Sequence, residues 1–251
     1  PYHAWSYDLE GKLKAAPHIG GTNQHKPDGF NFLDHGLKSI RIHIWLDWIF
    51  INFNGKAKKF EEYAKPLVKR FDDIDLTKLK YVATLDFGTI NTNWKFLIEN
   101  FIEPYHVQFV HKTTTNQPLK DHYTFVDGKC YGSGIDVENE DEKNDSALSV
   151  TSRYLSLFPN FIIGTYFPNQ VGVYLNVPIS PTLTSQKRII YTTDGKDMSK
   201  KEIKTTKDIW WSVHKEDHEM CERLQEGRSS PASSSGGLLS PVWEKGVQAF
   251  Q

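Results

Sequence analysis

The fold of this chain is decided by residues 93–111, which read N-W-K-F-L-I-E-N-F-I-E-P-Y-H-V-Q-F-V-H. Apolar side chains recur in this stretch at helical spacing, which predicts an amphipathic helix with one face in a core. The positions concerned are Trp94, Leu97, Ile98, Phe101 and Tyr105. Beyond this stripe the segment turns polar, and its titratable residues give the first indication of chemistry.

Two histidines come after the stripe, His106 and His111, and Glu103 lies one helical turn before the first of them. On an ideal helix five residues turn through roughly 140°, so the histidines converge only if the helix bends or ends between them. Pro104 favours such a break, because it lacks a backbone donor and clashes with the preceding turn. Two imidazoles and a carboxylate in one region suggest a metal site, although two histidines alone are more often ordinary surface or core residues.

The same stretch resembles the mononuclear-iron motif in the catalytic subunits of the Rieske non-haem iron oxygenases. The matching positions are Asn93-Trp94-Lys95, Glu99-Asn100, Glu103, Tyr105-His106 and His111. The resemblance implies that His106 and His111 bind iron and that Asn100 lies close to it. It also implies that Glu103 bridges an iron-ligating histidine and a histidine of an iron–sulfur cluster, so that it serves electron transfer.

A second helix is predicted near the C-terminus, where Ser199 and Glu202 form a capping box. Its apolar positions are Ile203, Trp210, Val213, Met220 and Leu224. Completing that stripe at helical spacing places Thr206 and Asp217 in the same row. A buried carboxylate is costly unless it is paired or binds a metal. From the residues alone, an ion pair or a stripe that twists outward explains Asp217 equally well.

The family resemblance also covers this helix. Residues 216–225 match the string E-D-x-x-x-C-E-x-x-Q, in which the aspartate of the family is the third iron ligand. The resemblance therefore implies a metal site of His106, His111 and Asp217. His214 and His218 flank Asp217 and are chemically able to compete as ligands, but they do not match the family position.

The first residues, Pro1-Tyr2-His3-Ala4-Trp5, resemble those that follow the last cysteine of a Rieske domain, where His3 would be the histidine of a C-x-x-H pair. This implies that His3 is a ligand of a [2Fe–2S] cluster, which uses two cysteines and two histidines. The other three ligands are not in this sequence, so we expect that the chain by itself holds no cluster. The sequence begins without methionine, and we expect it to be a fragment.

An α+β fold is predicted. Residues 38–53 alternate as one or two strands, residues 58–71 read as two short helical pieces, and residues 79–87 as a strand. Asp127-Gly128 marks a hairpin, and hairpin-length links join the later strands into an antiparallel sheet: residues 152–157, 161–167, 171–177 and 187–192. The acidic run 136–145 is interpreted as a solvated loop.

By resemblance, residues 1–54 are the end of a small β Rieske domain. Residues 55–251 are then the catalytic domain, with its sheet wrapped around the long C-terminal helix in a helix-grip-like arrangement.

Composition excludes several classes. The chain has 251 residues and a net charge of −1, so it carries no basic footprint for nucleic acid or anionic membrane. No apolar run approaches the ~20 residues that span a bilayer. Cys130 and Cys221 alone support neither a disulfide framework nor a cysteine-rich metal site. We expect a cytoplasmic protein.

The resemblance implies a Rieske-type oxygenase that activates O2 at Fe(II) to hydroxylate or oxidatively demethylate a small organic substrate. Electrons would pass from reduced nicotinamide through a reductase or ferredoxin to the [2Fe–2S] cluster of a neighbouring subunit in a homotrimer. Glu103, where many ring-hydroxylating dioxygenases have Asp, favours a monooxygenase.

Two alternatives remain open, a zinc-type metal hydrolase with the same ligands and a non-enzymatic helix-grip module that binds a small apolar ligand. The sequence does not identify the substrate.

Overall fold

A computed structural model of the protein describes residues 2–115, 117–135, 152–166 and 168–251. The chain divides into two compact units, Pro1–Lys59 and Phe60–Gln251. The division falls five residues after the predicted boundary at residue 54. The acidic run 136–145, which the sequence predicts to be a solvated loop, lies outside the described residues.

The first unit contains two antiparallel hairpins. Strand β1 (Ser6–Tyr7) pairs with β2 (Leu13–Ala15), and β3 (Arg41–Trp45) pairs with β4 (Trp48–Asn52). Gly11 has φ +80° in the first turn, a conformation that L side chains rarely adopt. The second hairpin falls where the sequence predicts strands, and the assignment of both hairpins to a Rieske domain stays a prediction.

The second unit opens with two short helices, α1 (Phe60–Tyr63) and α2 (Lys65–Val68). Pro66 occupies the first turn of α2, where its missing N–H leaves no intrahelical bond unmade. The predicted pair of helical pieces is therefore confirmed.

A seven-stranded antiparallel sheet forms the body of this unit. Its strand order is β5-β11-β10-β9-β8-β7-β6. The strands are β5 (Lys80–Ile90), β6 (His122–Asp127), β7 (Cys130–Ile135), β8 (Ser152–Leu157), β9 (Phe161–Tyr166), β10 (Gln170–Ser180) and β11 (Leu183–Thr192). All the predicted strands are present, β10 and β11 are longer than predicted, and the hairpin at Asp127-Gly128 is confirmed by the pairing of Asp127 with Cys130.

The described part of this unit contains four further α-helices: α3 (Trp94–Ile102), α4 (Val107–Val110), α5 (Lys200–Arg228) and α6 (Lys245–Phe250). The helix of residues 93–111 ends at Ile102, before both histidines, because the chain is extended at Glu103, which precedes Pro104. The break therefore lies earlier than expected, and His106 and His111 cap the two ends of the one-turn helix α4. The capping box at Ser199 and Glu202 starts α5 as predicted. In the described part of the chain no helix is long and apolar enough to cross a membrane.

The connection of β5 with β11 determines where the two long helices meet. Residue Ile90 at the end of β5 pairs with Thr184 near the start of β11, whereas Thr192 at the end of β11 pairs with Lys80. Helices α3 and α5 therefore begin at opposite ends of this strand pair. The 29 residues of α5, about 44 Å of helix, are long enough to return to α3.

The buried stripe of α5 differs from the predicted one at its C-terminal end. The fully buried positions are Thr206, Trp210, His214 and Cys221. Leu224, predicted to lie in the stripe, is 50% exposed. The prediction counted only strongly apolar side chains, but the buried row includes a histidine and a cysteine that are enclosed by neighbouring residues. Asp217 still lies between buried turns of the helix.

Candidate metal centre

The break after α3 places Glu103 against His106. The Glu103 carboxylate accepts hydrogen bonds from the backbone N–H groups of Tyr105 and His106, the second at 3.2 Å. Its other oxygen lies 2.5 Å from His106 Nδ1. The expectation that Glu103 lies one helical turn before His106 is wrong, because the two residues lie on either side of the break. A tight turn around Pro104 brings them together instead.

His111 lies at the opposite end of α4 from His106, and its acid partner is on a different helix. It caps the C-terminal end of α4, and its Nδ1 lies 2.8 Å from Glu216 Oε2 on α5. Thr114 donates a hydrogen bond to the same oxygen at 2.6 Å. No role for Glu216 was predicted from the sequence. Its place beside Asp217 in the matched string was a signal, but the string does not indicate in which direction the Glu216 side chain points.

The free Nε2 atoms of both histidines converge on one oxygen. Oδ1 of Asp217 lies 3.5 Å from His106 Nε2 and 3.0 Å from His111 Nε2. One possible ligand atom from each of the three residues lies within 4.8 Å of the other two. Asn100 donates a hydrogen bond to the same Oδ1 at 3.3 Å. The structure thus brings together the three predicted metal ligands and the predicted neighbour Asn100.

Hydrogen bonds between α5 and the start of α3 set this alignment. Glu222 accepts from the backbone N–H of Asn91, and Gln225 from that of Asn93, both at 2.9 Å. The Thr92 hydroxyl donates to the backbone carbonyl of Cys221 at 3.0 Å. The Glu and Gln of the E-D-x-x-x-C-E-x-x-Q string therefore fasten α5 to α3, one turn beyond the acidic pair that faces the histidines.

The charged groups of the site shift one another's pKa values. Burial disfavours the charged form of His111, but Asp217 and Glu216 outweigh this and raise its pKa to about 9. For His106, burial is likewise outweighed by Glu103 and then Asp217, so its pKa is raised. Burial of the Asp217 carboxyl is outweighed by His111 and His106, which hold its pKa well below its usual range. Without a metal, these protein groups favour ionised pairs.

The donor set fits a divalent transition metal. Each Nδ1 faces a carboxylate, which it meets as an N–H donor, so each Nε2 carries the lone pair that a metal needs. The side chains of His106, His111 and Asp217 are 17%, 7% and 13% exposed, so the site is shielded from bulk water. Two imidazoles and one carboxylate are typical of non-haem Fe(II) sites.

The other predicted or competing residues lie elsewhere. His218 Nε2 lies 2.7 Å from the Gln186 side chain, and His214 Nε2 lies 3.4 Å from Arg188. Neither belongs to the three-residue group at the metal site. His3 is exposed in the first unit, with its ring 4.2 Å from that of Tyr2. The structure supplies no geometry that links His3 to a cluster.

A cavity extends from the three residues to the inner face of the sheet. Aromatic side chains form part of its walls: Phe101, Tyr154, Tyr166, Tyr174 and Trp210. Gln186, His214 and His218 add polar groups to the lining. An apolar cavity with a few polar groups beside a metal-competent cluster is the usual form of a small-molecule site.

Comparison with known proteins shows which family this chain resembles in sequence. Residues 62–251 match the model of the ring hydroxylating alpha subunit, catalytic domain. The chloroplastic choline monooxygenase of Atriplex hortensis is 26% identical over 257 residues, covering 100% of this chain and 56% of that protein. The large oxygenase component of salicylate 5-hydroxylase from Ralstonia sp. is 30% identical over 119 residues, 44% of this chain and 28% of that protein.

Solved structures agree on the fold. The crystal structure of a quaternary ammonium Rieske monooxygenase superposes with a TM-score of 0.77 at 19% identity, covering 100% of this chain and 69% of that one. The predicted combination of helices with an antiparallel sheet is therefore the fold of Rieske oxygenase catalytic domains. The chain spans little more than half the length of the choline monooxygenase it matches.

Proposed function

The chain belongs to the ring-hydroxylating alpha-subunit family of the Rieske non-haem iron oxygenases, and from that premise we propose its function. It is the terminal component of an oxygenase in which His106, His111 and Asp217 hold a mononuclear Fe(II). The reaction is the hydroxylation or oxidative demethylation of a small organic substrate with O2. Family membership favours this function over a zinc-type hydrolase or a binding module.

One observation carries the proposal: two imidazole Nε2 atoms meet a single carboxylate oxygen, and each imidazole has an acid behind it. Fe(II) held by two histidines and one carboxylate keeps adjacent coordination positions open for oxygen and substrate. The residues of this chain orient that site. Glu103 and Glu216 fix the tautomer and direction of the imidazoles, Asn100 steadies Asp217 Oδ1, and the aromatic cavity excludes water.

Electron delivery is the second part of the proposal. We infer that Glu103 connects His106 to the Rieske cluster of a neighbouring subunit in a homotrimer and that His3 is a cluster ligand. Reduced nicotinamide would supply electrons through a reductase or ferredoxin. Glu103 suits this role because it already contacts one imidazole and is not one of the three converging groups.

The domain assignment rests on the same premise. Residues 1–54 would be the end of a Rieske domain, and residues 55–251 a catalytic domain whose sheet wraps around α5 in a helix-grip-like way. Support comes from the match of residues 62–251 to the catalytic-domain model and from the hairpins of the first unit.

Substrate type is left open by the relatives, which bear the names of a choline monooxygenase and a salicylate hydroxylase. Glu at position 103 favours monooxygenation. The cytoplasmic location remains a prediction, since the choline monooxygenase of Atriplex is named as chloroplastic.

The test is metal analysis and oxygen uptake with the full-length protein and its reductase. We expect about one mononuclear iron per chain, a separate [2Fe–2S] absorption spectrum, and O2 uptake coupled to product. The double variant His106→Ala/His111→Ala should lose the mononuclear iron and keep the cluster spectrum. Bound zinc with hydrolytic activity, or a protein that binds no metal, would contradict the proposal.

A further inference from the structure

A buried guanidinium lies behind the lining at the sheet end of the cavity. Arg188 on β11 is fully buried, and its guanidinium lies 3.3 Å from the ring centroid of Trp210 on α5. The rings of Tyr166 and Tyr174 lie 4.6 and 4.9 Å away. Nη1 donates to the Tyr174 hydroxyl and lies 3.4 Å from His214 Nε2. All four of these neighbours line the cavity that holds His106, His111 and Asp217.

Among the described residues, the positive charge of Arg188 has no carboxylate partner. Within the described ranges no Asp or Glu makes an ion pair with it, and its Nε and Nη2 atoms have no hydrogen-bond partner there. A buried cation is costly unless it is paired, so aromatic contacts alone are an unusual environment for one. The chain makes room for it all the same: a Cβ added to Gly172 on the neighbouring strand would lie 2.6 Å from Nη2.

The aromatic faces near Arg188 are already occupied. Trp, Tyr and Phe rings attract cations through their negative faces, and the faces around this end of the cavity are turned to the guanidinium. A cationic ligand at the same end would meet a like charge. The oxygen of Tyr174 accepts from Arg188 and lies 3.1 Å from the Tyr166 hydroxyl. When Tyr166 is the donor of that pair, the Tyr174 proton is available for donation to a further acceptor.

We propose that Arg188 selects a substrate with an anionic group, a carboxylate, which binds at the Tyr174 end of the cavity. The inference rests on the proposed function, because the cavity is that of the oxygenase site. The carboxylate accepts a hydrogen bond from Tyr174 and supplies a counter-charge that the described residues do not provide. The remainder of the substrate then lies between the aromatic walls, toward Asp217. Quaternary ammonium compounds are excluded by the same charge.

Binding without turnover provides the test. The full-length, iron-loaded protein is kept free of reductant, and the dissociation constants of benzoate, benzyl alcohol and benzyltrimethylammonium are measured by calorimetry. These probes share a ring and differ in charge. We expect benzoate to bind about tenfold or more tightly than the alcohol, and the cation to bind weakest, because a hydrogen bond to a charged group outweighs a neutral one.

Variants assign the preference to Arg188. Arg188→Met keeps much of the volume and removes the charge, so benzoate should lose about tenfold in affinity while benzyl alcohol is unchanged. Lys187→Met is the matched control, since it removes one positive charge from the adjacent residue of β11. Lys187 pairs with Asp86 at 2.7 Å, and its side chain is 43% exposed, whereas Arg188 is fully buried. If Arg188→Met does not fold, Tyr174→Phe should weaken benzoate binding and spare the alcohol.

The outcomes separate this inference from the proposed function. A protein that binds the cation as tightly as benzoate, or that binds none of the three probes, would overturn the anion preference. Loss of benzoate affinity in Arg188→Met, in which all three proposed iron ligands are kept, distinguishes the guanidinium from direct coordination to iron. If the protein prefers benzoate but binds no iron, the anion preference stands and the proposed oxygenase function is refuted. If it binds iron but does not prefer benzoate, the oxygenase function stands and the anion preference is refuted.

Discussion

The two histidines of the metal centre are held in the same way by different parts of the chain. Each offers Nε2 to Asp217, and each Nδ1 faces a glutamate. The acid behind His106 is Glu103, three residues away in one turn, whereas the acid behind His111 is Glu216, 105 residues away on α5. One half of the site is thus a local turn, and the other exists only after the two helices have packed.

The largest effect is expected at the residue that the two halves share. Asp217→Ala removes the oxygen that both Nε2 atoms face, so the mononuclear iron should fall to less than about a tenth and product should be undetectable. The protein should still fold, because Glu222 and Gln225 still fasten α5 to α3. Elemental analysis and circular dichroism measure both.

Asp208→Ala is the control for this change. Asp208 lies on the same helix but is exposed and pairs with Lys204 at 2.5 Å. It should keep its iron. Equal iron content in the Asp217 and Asp208 variants would remove Asp217 from the ligand set.

The local half is tested by Glu103→Gln. If Glu103 carries electron transfer, the variant should retain mononuclear iron while product per iron falls by about a hundredfold, since the amide still accepts the backbone hydrogen bonds of the turn. Iron content and single-turnover product yield give the two readouts. Iron loss comparable to that of His106→Ala would show instead that Glu103 only supports the ligand.

The long-range half is tested by Glu216→Gln. We expect iron affinity to fall by about ten- to a hundredfold, because the carboxylate orients His111 and raises its basicity, while product per bound iron stays close to wild type. Competition with a chelator measures the affinity. An affinity equal to that of wild type would mean that Glu216 does not support the ligand, and the likeness between the two halves would end there.

The smallest effect is a pH dependence of stability in protein stripped of metal. The pKa of His111, raised to about 9 in the folded protein, exceeds its unfolded value of about 6.5. This stabilisation is therefore complete below about pH 6.5 and is lost as the pH rises through about 9. The pKa of Asp217 is lowered in the folded protein, so Asp217 stabilises the fold fully above its unfolded pKa. This stabilisation is lost as the pH falls below that value and through the folded pKa.

Urea unfolding at several pH values measures this dependence. The free energy of unfolding should decrease from neutral to alkaline pH, and the slope should be smaller in Glu216→Gln, which lacks one of the charges that raise the pKa of His111. A stability that increases with pH over that window would contradict the assignment.

The local half of the site could be predicted from the sequence, and the long-range half only in part. The break at Pro104 follows from backbone chemistry, and the family motif identified both histidines. Asp217 was found because a carboxylate stood in an apolar stripe and matched a second motif. Glu216 was missed because its direction depends on how α5 meets α3, which no local pattern states.

The dependence on how distant elements pack also explains why the buried row of α5 was partly mispredicted and why no role was predicted for Arg188. His214 and Cys221 are buried because of what surrounds them, so hydrophobicity alone places Leu224 in the row and leaves them out. Arg188 lies in a strand that the sequence predicts correctly, yet nothing in that strand indicates that its guanidinium would be enclosed by rings from β9, β10 and α5.

Gly172 has a consequence for the order in which this lineage can change. A larger residue at position 172 meets the Arg188 guanidinium, so it requires that this enclosed side chain shift or be replaced by something shorter. The opposite order is open, because losing Arg188 first leaves a hollow beside Trp210 that a side chain at position 172 can later fill. A descendant that has lost Arg188 can thus accept a larger residue at position 172. That residue then disfavours the return of an arginine at position 188, so the change of substrate preference is hard to reverse.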